Sequence, residues 1–264
     1  MKKSINSLSV FLSGNLDSKP IIFVHGFPFD HFMWDEQVNE FNKNHLCVTY
    51  DIRGLGESSV GNGQFTIEMF VDDLETIVNT LNLDKPVLCA LSMGGYISLR
   101  AMERIQEKFS GLILCDTKSE ADDNAGKLKR AAAIKQINVG DLENFVESFV
   151  LNCFSKNFVG DKNAEYRKVV ERSKRNNPVG VKGCLLAMAG RTDTTDNLSK
   201  INLPTLVICG SEDKLSPPDV MKSLAGNIPD SKFVLVEGAG HMTPIENPRI
   251  VNAVIKEFLL RNKL

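Results

Sequence analysis

The 264-residue chain has one Trp, three Tyr and four His. Any histidine chemistry therefore falls to positions 25, 31, 45 and 241. None of the six cysteines forms a Cys-x-x-Cys pair, and no His accompanies them at ligand spacing, which removes the usual zinc and redox motifs. Cys47, Cys89, Cys115 and Cys209 lie inside apolar runs. They read as small buried hydrophobes of a reducing compartment, so a cytoplasmic location is expected. No apolar run approaches the length of a membrane span. The N-terminus starts basic, Met1-Lys2-Lys3, but its apolar residues then alternate with polar ones. That is a short edge strand rather than the core of a signal peptide. Positive charge is not in excess either: 31 Lys and Arg stand against 33 Asp and Glu, for a net charge of −2. Nucleic acid and anionic membrane are thus not expected as partners. Basic clusters at 127–130 and 167–175 have acids nearby and read as solvated helix faces.

What is present is ordinary for a soluble globular protein, 42% hydrophobic and 24% charged. The length allows one large α/β domain with an inserted subdomain. Short apolar runs at Leu8–Leu12, Ile21–Val24, Leu46–Tyr50, Val87–Leu91, Leu112–Cys115, Thr205–Cys209 and Lys232–Val236 read as strands. Helical patterns separate most of them; one is capped by Thr66, with Ile67, Phe70, Val71, Leu74, Ile77, Val78 and Leu81 at helical spacing. This alternation implies a mostly parallel, twisted sheet with helices on both faces. Between Lys118 and Lys200 the rhythm changes to helical patterns alone, at roughly 124–138, 141–153, 164–176 and 179–189. The expected organisation is a core of residues 1–117 and 201–264 and an all-helical cap of residues 118–200.

In such sheets function sits beyond the carboxyl ends of the strands. His25, Gly26, Phe27, Asp51, Ser92, Asp116, Asp213 and His241 all fall there. Ser92 stands at the tip of a strand–turn–helix, flanked two residues either side by the small Ala90 and Gly94, with Gly95 next. The placement suits a nucleophile over the positive end of a helix dipole. Taken alone, Ala-x-Ser-x-Gly also fits an ordinary strand–helix connection with a serine cap. Nucleophilic catalysis by serine further needs a base, an acid to orient it, and donors for an oxyanion. His241, in the glycine-rich loop Gly238-Ala239-Gly240 after the last strand, is the best-placed base. The acid should follow a strand between Ser92 and His241. Asp213 fits, with Asp116 as a rival one strand earlier that reads better as a capping carboxylate at the entry to the insertion. Asp51 and Arg53, in a glycine-punctuated loop, read as ties between loops.

The order Ser92, Asp213, His241 resembles that of α/β-hydrolase fold serine hydrolases, in which nucleophile, acid and histidine follow in that order. His25-Gly26-Phe27-Pro28, the loop Asp51–Ser58, Leu91-Ser92-Met93-Gly94-Gly95, Gly210-Ser211-Glu212-Asp213 and Gly238-Ala239-Gly240-His241 carry the resemblance across the chain outside the insertion. The flavour is similar to 3-oxoadipate enol-lactonase, non-haem haloperoxidase and small carboxylesterases. Ala90 departs from the family, which usually has Gly there. The resemblance implies a Ser-His-Asp triad and an oxyanion hole from the backbone N–H groups of Phe27 and Met93. It implies hydrolysis of a small-molecule ester or lactone, with no metal or organic cofactor, by a monomer or homodimer. The insertion would form a lid. His25 and Gly26 are expected beside the substrate; Phe145, Phe149, Phe154 and Met188 would line an apolar acyl pocket or pack lid on core. Two alternatives share these residues: a cofactor-free perhydrolase or haloperoxidase, and a triad-bearing ligand sensor.

Overall fold

Strands whose residues are apolar on both sides must be covered on both faces, and the chain builds its sheet from such strands. The computed structural model describes residues 1–160 and 163–264. Its eight strands are β1 (Lys2–Ile5), β2 (Leu8–Ser13), β3 (Pro20–Val24), β4 (Leu46–Tyr50), β5 (Val87–Leu91), β6 (Gly111–Cys115), β7 (Thr205–Gly210) and β8 (Ser231–Val236). They lie in the order β1-β2-β4-β3-β5-β6-β7-β8. β1 and β2 pair antiparallel, as do β2 and β4; every other pair is parallel. All residues of β4 to β7 are buried. The outer strand β1 was not expected. Leu8–Leu12, which reads as the edge, is the second strand, covered by Lys2–Ile5 through the two-residue turn Asn6-Ser7. Both turn residues have positive φ, 48° and 64°, the backbone that matches strand twist in a tight hairpin. Three exposed residues, two of them Lys, blunt this edge.

The helices are α1 (Asp35–Phe41), α2 (Ile67–Thr80), α3 (Met93–Ile105), α4 (Asn124–Asn138), α5 (Leu142–Cys153), α6 (Lys156–Val159), α7 (Ala164–Lys174), α8 (Pro178–Ala189), α9 (Pro218–Gly226), α10 (Thr243–Glu246) and α11 (Pro248–Arg261). The step from β3 to β4 moves one way across the sheet, while those from β4 to β5 and β5 to β6 move the other. Right-handed crossovers then place α1 on one face and α2 and α3 on the opposite one. α1 accordingly packs with α11, and α2 with α3. Thr66 caps α2 by accepting the Met69 N–H at 3.2 Å. Between β6 and β7 the described residues contain helices and no strand. The short α6, capped by Ser155, had no periodic signal of its own. No helix among the described residues is long and apolar enough to cross a membrane.

Candidate active site

Leu91 ends β5 and Met93 begins α3, so one residue makes the turn. That residue, Ser92, sits at φ 53° and ψ −115°. A side chain held in this region costs about 1–3 kcal/mol and persists only where its surroundings impose it. Here they do. The Ser92 N–H donates to Cys115 O at 3.1 Å, and its carbonyl accepts Gly95 N–H and the Thr117 hydroxyl, each at 2.8 Å. A Cβ on Gly94 would meet Val24 O at 2.4 Å, and one on Gly95 would meet Thr117 Oγ1 at 2.3 Å, so both glycines are dictated by close approach. Ala90, fully buried between Val24 and Leu114, is accommodated without disturbing the strand.

His241 reaches the same sheet edge from the loop after β8. Its Nδ1 lies 2.8 Å from Asp213 Oδ2, and both side chains are buried. Asp213 is held by its own loop, Oδ1 accepting the N–H groups of Leu215 at 2.8 Å and Ser216 at 3.0 Å. With Nδ1 committed to Asp213, Nε2 is the nitrogen free to exchange a proton. Burial by itself would lower the His241 pKa. The charge and hydrogen bond of Asp213, with the charges of Asp116 and Glu246, outweigh it and hold the imidazole above its ordinary value.

Asp116 is not the partner of His241, and neither does it cap the entry to the insertion. Its Oδ1 accepts Gly210 N–H at 2.9 Å, and its Oδ2 accepts the N–H of Thr243 at 3.3 Å and the Thr243 hydroxyl. It thereby ties the strand end before Asp213 to the segment after His241. Burial, then the nearby Asp213 charge, push its carboxyl well above the usual range. Glu246 is a second tie that the sequence reading missed. Its Oε1 accepts Gly240 N–H at 2.9 Å and Met242 N–H at 3.3 Å, and its Oε2 accepts Ser155 N–H at 3.0 Å. The His241 N–H in turn donates to Cys153 O at 2.8 Å. The histidine loop is thus bound to the helical segment.

Ser92 and His241 line one cavity of about 550 Å³ between the sheet edge and the helices that follow β6. Phe27, Phe145, Phe149, Leu185 and Met188 give it an apolar wall. Phe27 meets Phe149 edge-on at 5.3 Å between centroids and Phe145 at 6.3 Å. Phe145, Phe149 and Met188 therefore both line the cavity and pack on the core. Phe154 does not reach it; it stacks on Phe158 at 5.2 Å and meets Tyr166 edge-on at 5.4 Å. His25 and Gly26 are also outside the lining. His25 is fully buried, with Nε2 accepting Ile52 N–H and Nδ1 facing Gly26 O, each at 2.8 Å. It is a bracket between two strand-end loops. Gly26 presses on the Ser92 turn, where a Cβ would lie 2.7 Å from Leu91 Cδ2 and 3.2 Å from Ser92 Cβ. Among the described residues, the backbone N–H groups of Phe27 and Met93 find no acceptor. Asp51 ties loops as expected, accepting His31 N–H at 2.8 Å and Glu57 N–H at 2.8 Å, while Arg53 pairs with Asp73.

Asp116, Cys209 and Asp213 place one potential ligand atom each within 4.8 Å of one another. Their oxygens are already engaged by backbone, Thr243 and His241 donors. Burial, first of all, pushes the Cys209 thiol far up, so it keeps its proton. The trio is a hydrogen-bonded anchor and poorly suited to a cation.

Residues 19–248 match the family described as the alpha/beta hydrolase fold. The 3-oxoadipate enol-lactonase 1 of Acinetobacter baylyi is 27% identical, over 96% of this chain and 93% of its own. The non-heme chloroperoxidase CPO-A1 of Kitasatospora aureofaciens is 25% identical, over 96% and 97%. A solved esterase from Thermogutta terrifontis is 33% identical, covers 99% of this chain with 98% of its own, and superposes with a TM-score of 0.93.

Proposed function

The chain belongs to the alpha/beta hydrolase family, and we propose that within it this protein is a serine hydrolase that cleaves a small carboxylic ester or lactone through an acyl-enzyme. The observation that carries the reading is the His241 Nδ1–Asp213 Oδ2 contact of 2.8 Å, which leaves Nε2 for the cavity that His241 shares with the strained Ser92. Ser92 Oγ attacks the carbonyl carbon while its proton passes to His241 Nε2. Asp213 fixes the tautomer and stabilises the imidazolium. The oxyanion is met by the N–H groups of Phe27 and Met93, neither of which has an acceptor among the described residues. The C–O bond to the alcohol then breaks as His241 returns the proton to the leaving oxygen. A water gives its proton to His241 and attacks the acyl carbon; the bond to Ser92 Oγ breaks, and the serine regains its proton. In a lactone the alcohol stays attached to the released acid.

The relatives named as an enol-lactonase and an esterase support this class of substrate. The relative named as a chloroperoxidase supports a second reading, in which peroxide intercepts the same acyl-enzyme and a peracid leaves. The test is labelling with a fluorophosphonate probe, followed by p-nitrophenyl esters of graded chain length and a panel of lactones. Labelling lost in Ser92→Ala, with steady-state hydrolysis, is the expected result. Labelling unchanged in Ser92→Ala refutes the nucleophile. A single turnover without steady state refutes a hydrolytic role and points to a ligand sensor.

A further inference from the structure

Phe27, whose N–H is one of the two donors in the proposed mechanism, lies in the turn Gly26-Phe27-Pro28-Phe29. The turn closes on itself, the Phe29 N–H donating to Gly26 O at 3.0 Å. The core fixes one side of it. Gly26 packs on Leu91 and Ser92, and its carbonyl faces His25 Nδ1 at 2.8 Å. The other side ends in the buried Pro28. A buried carbonyl needs a donor, and no core group supplies one to Pro28 O among the described residues. The donor comes from the helical insertion: Asn176 Nδ2 lies 2.7 Å from Pro28 O.

Asn176 sits between α7 and α8 and is only 7% exposed. Its Nδ2 also donates to Ser173 O at 3.1 Å, and its Oδ1 accepts Gly56 N–H at 2.9 Å. The Ser173 contact is local and finishes α7. The other two cross 148 and 120 positions to two separate core loops. Asp51 joins those same loops from below, accepting His31 N–H and Glu57 N–H, each at 2.8 Å. Neighbouring contacts seat the insertion along this seam. A Cβ on Gly180 would lie 1.8 Å from Gly54 O. Arg172 of α7 donates to Asp30 Oδ2 from Nε at 3.1 Å and from Nη2 at 3.0 Å, with its guanidinium 3.3 Å over the Phe32 ring. Without the Asn176 amide, Pro28 O is a buried acceptor with no partner, a costly state that the turn relieves by shifting toward water. The Phe27 N–H shifts with it, because the Phe29 N–H bond makes the four residues one unit.

Resting on the serine-hydrolase reading above, we propose that Asn176 is a positioning residue for that reaction: its amide holds the Pro28 carbonyl so that the Phe27 N–H points at the oxyanion. The insertion then completes the reacting geometry as well as walling the cavity. A hydrogen bond to the oxyanion exists only in the transition state, so misaligning its donor lowers kcat and leaves KM in place. A misplacement of about 1 Å costs on the order of 100-fold.

The test follows p-nitrophenyl butyrate hydrolysis by the whole chain. Asn176→Asp keeps an oxygen for Gly56 N–H but sets a carboxylate against Pro28 O and Ser173 O. Asn176→Ala removes the amide altogether. In both, kcat should fall about 10- to 100-fold with KM within about threefold. A trifluoromethyl ketone gives a second readout. Ser92 Oγ adds to its carbonyl carbon, the serine proton passes to His241, and the carbonyl oxygen becomes an anion at the same donors. Its Ki should rise by the factor by which kcat/KM falls. Val170→Ala opens a cavity on the buried face of α7 and shows what loosening the insertion does by itself; it should lower Tm with kcat within about threefold. The near-isosteric Asn176→Asp decides the question should Asn176→Ala fail to fold. A kcat near wild type in Asn176→Asp overturns the proposal, as does an equal loss of kcat in Val170→Ala. Wild-type protein inert toward both ester and ketone sinks the serine-hydrolase reading and the positioning role with it, whereas an active wild type with unmoved kcat in the variants sinks the positioning role alone.

Discussion

In the proposed mechanism, replacing each of the two buried carboxylates near His241 by its amide separates a residue that acts on the base from one that holds its loop. In Asp213→Asn, Oδ1 has two N–H donors to satisfy, from Leu215 and Ser216. The amide oxygen therefore stays with them and the NH2 group turns to His241 Nδ1. Two donors cannot face each other, so the imidazole moves its proton to Nε2 and loses its capacity as a base toward Ser92. A change of tautomer at this position in a serine triad costs about 10⁴ in kcat. In Asp116→Asn one oxygen keeps Gly210 N–H, while the NH2 group faces Thr243. The Thr243 hydroxyl can reverse and accept, but the Thr243 N–H loses its partner. One buried unsatisfied donor costs about 1–3 kcal/mol, read as a fall of several degrees in Tm. The effect on kcat should stay within about 10- to 100-fold. The pH profile adds an independent check. In the proposed mechanism His241 acts as a base when neutral, and its pKa is raised, so the acid limb of kcat/KM should lie above the ordinary histidine value of about 6.5. Removing the Asp213 charge leaves the lowering effect of burial, so residual activity in Asp213→Asn should show its limb at lower pH. The same raised pKa makes protonated His241 a stabilising group. Its contribution is fully present below the unfolded value, about 6.5, and is lost as pH rises through the folded one. Steady-state kinetics across pH 5–9 with matched melting curves decides the matter. If Asp116→Asn loses several orders of magnitude and Asp213→Asn remains near wild type, the assignment of the acid is wrong.

Three further outcomes follow from other contacts. Ser92→Gly should abolish turnover yet raise stability by about 1 kcal/mol, because glycine accepts positive φ without strain; chemical denaturation would show it as a higher midpoint at unchanged slope. Glu246→Gln leaves an NH2 group facing the Ser155 N–H, or one facing Gly240 and Met242. It should lower kcat about tenfold, with faster proteolysis near Ser155, and equal proteolysis of the two proteins would refute the tie. Ala90→Leu forces a larger side chain into a fully buried position beneath the Ser92 turn. It should cost about 1–3 kcal/mol by overpacking and depress fluorophosphonate labelling, whereas Ala90→Gly should leave labelling intact.

The parts of the site that the sequence displays are those that one local rule governs. Ser92 is visible because a one-residue turn between a buried strand and a helix demands small neighbours, and the demand is written within three positions of it as Ala90, Gly94 and Gly95. His241 and Asp213 are visible because each follows a strand at the functional edge. The ties that hold them are not visible, because their partners are distant: Asp116 meets Thr243 across 127 positions and Glu246 meets Ser155 across 91. A carboxylate in a loop looks the same whether it faces water or three N–H groups. His25 illustrates the reverse error. Its place at a strand end suggests the pocket, yet the Ile52 N–H and Gly26 carbonyl consume both ring nitrogens. Position along a strand thus identifies which residues can reach the chemistry. Which of them act there depends on whose hydrogen bonds are already satisfied, and that is a property of the folded neighbourhood.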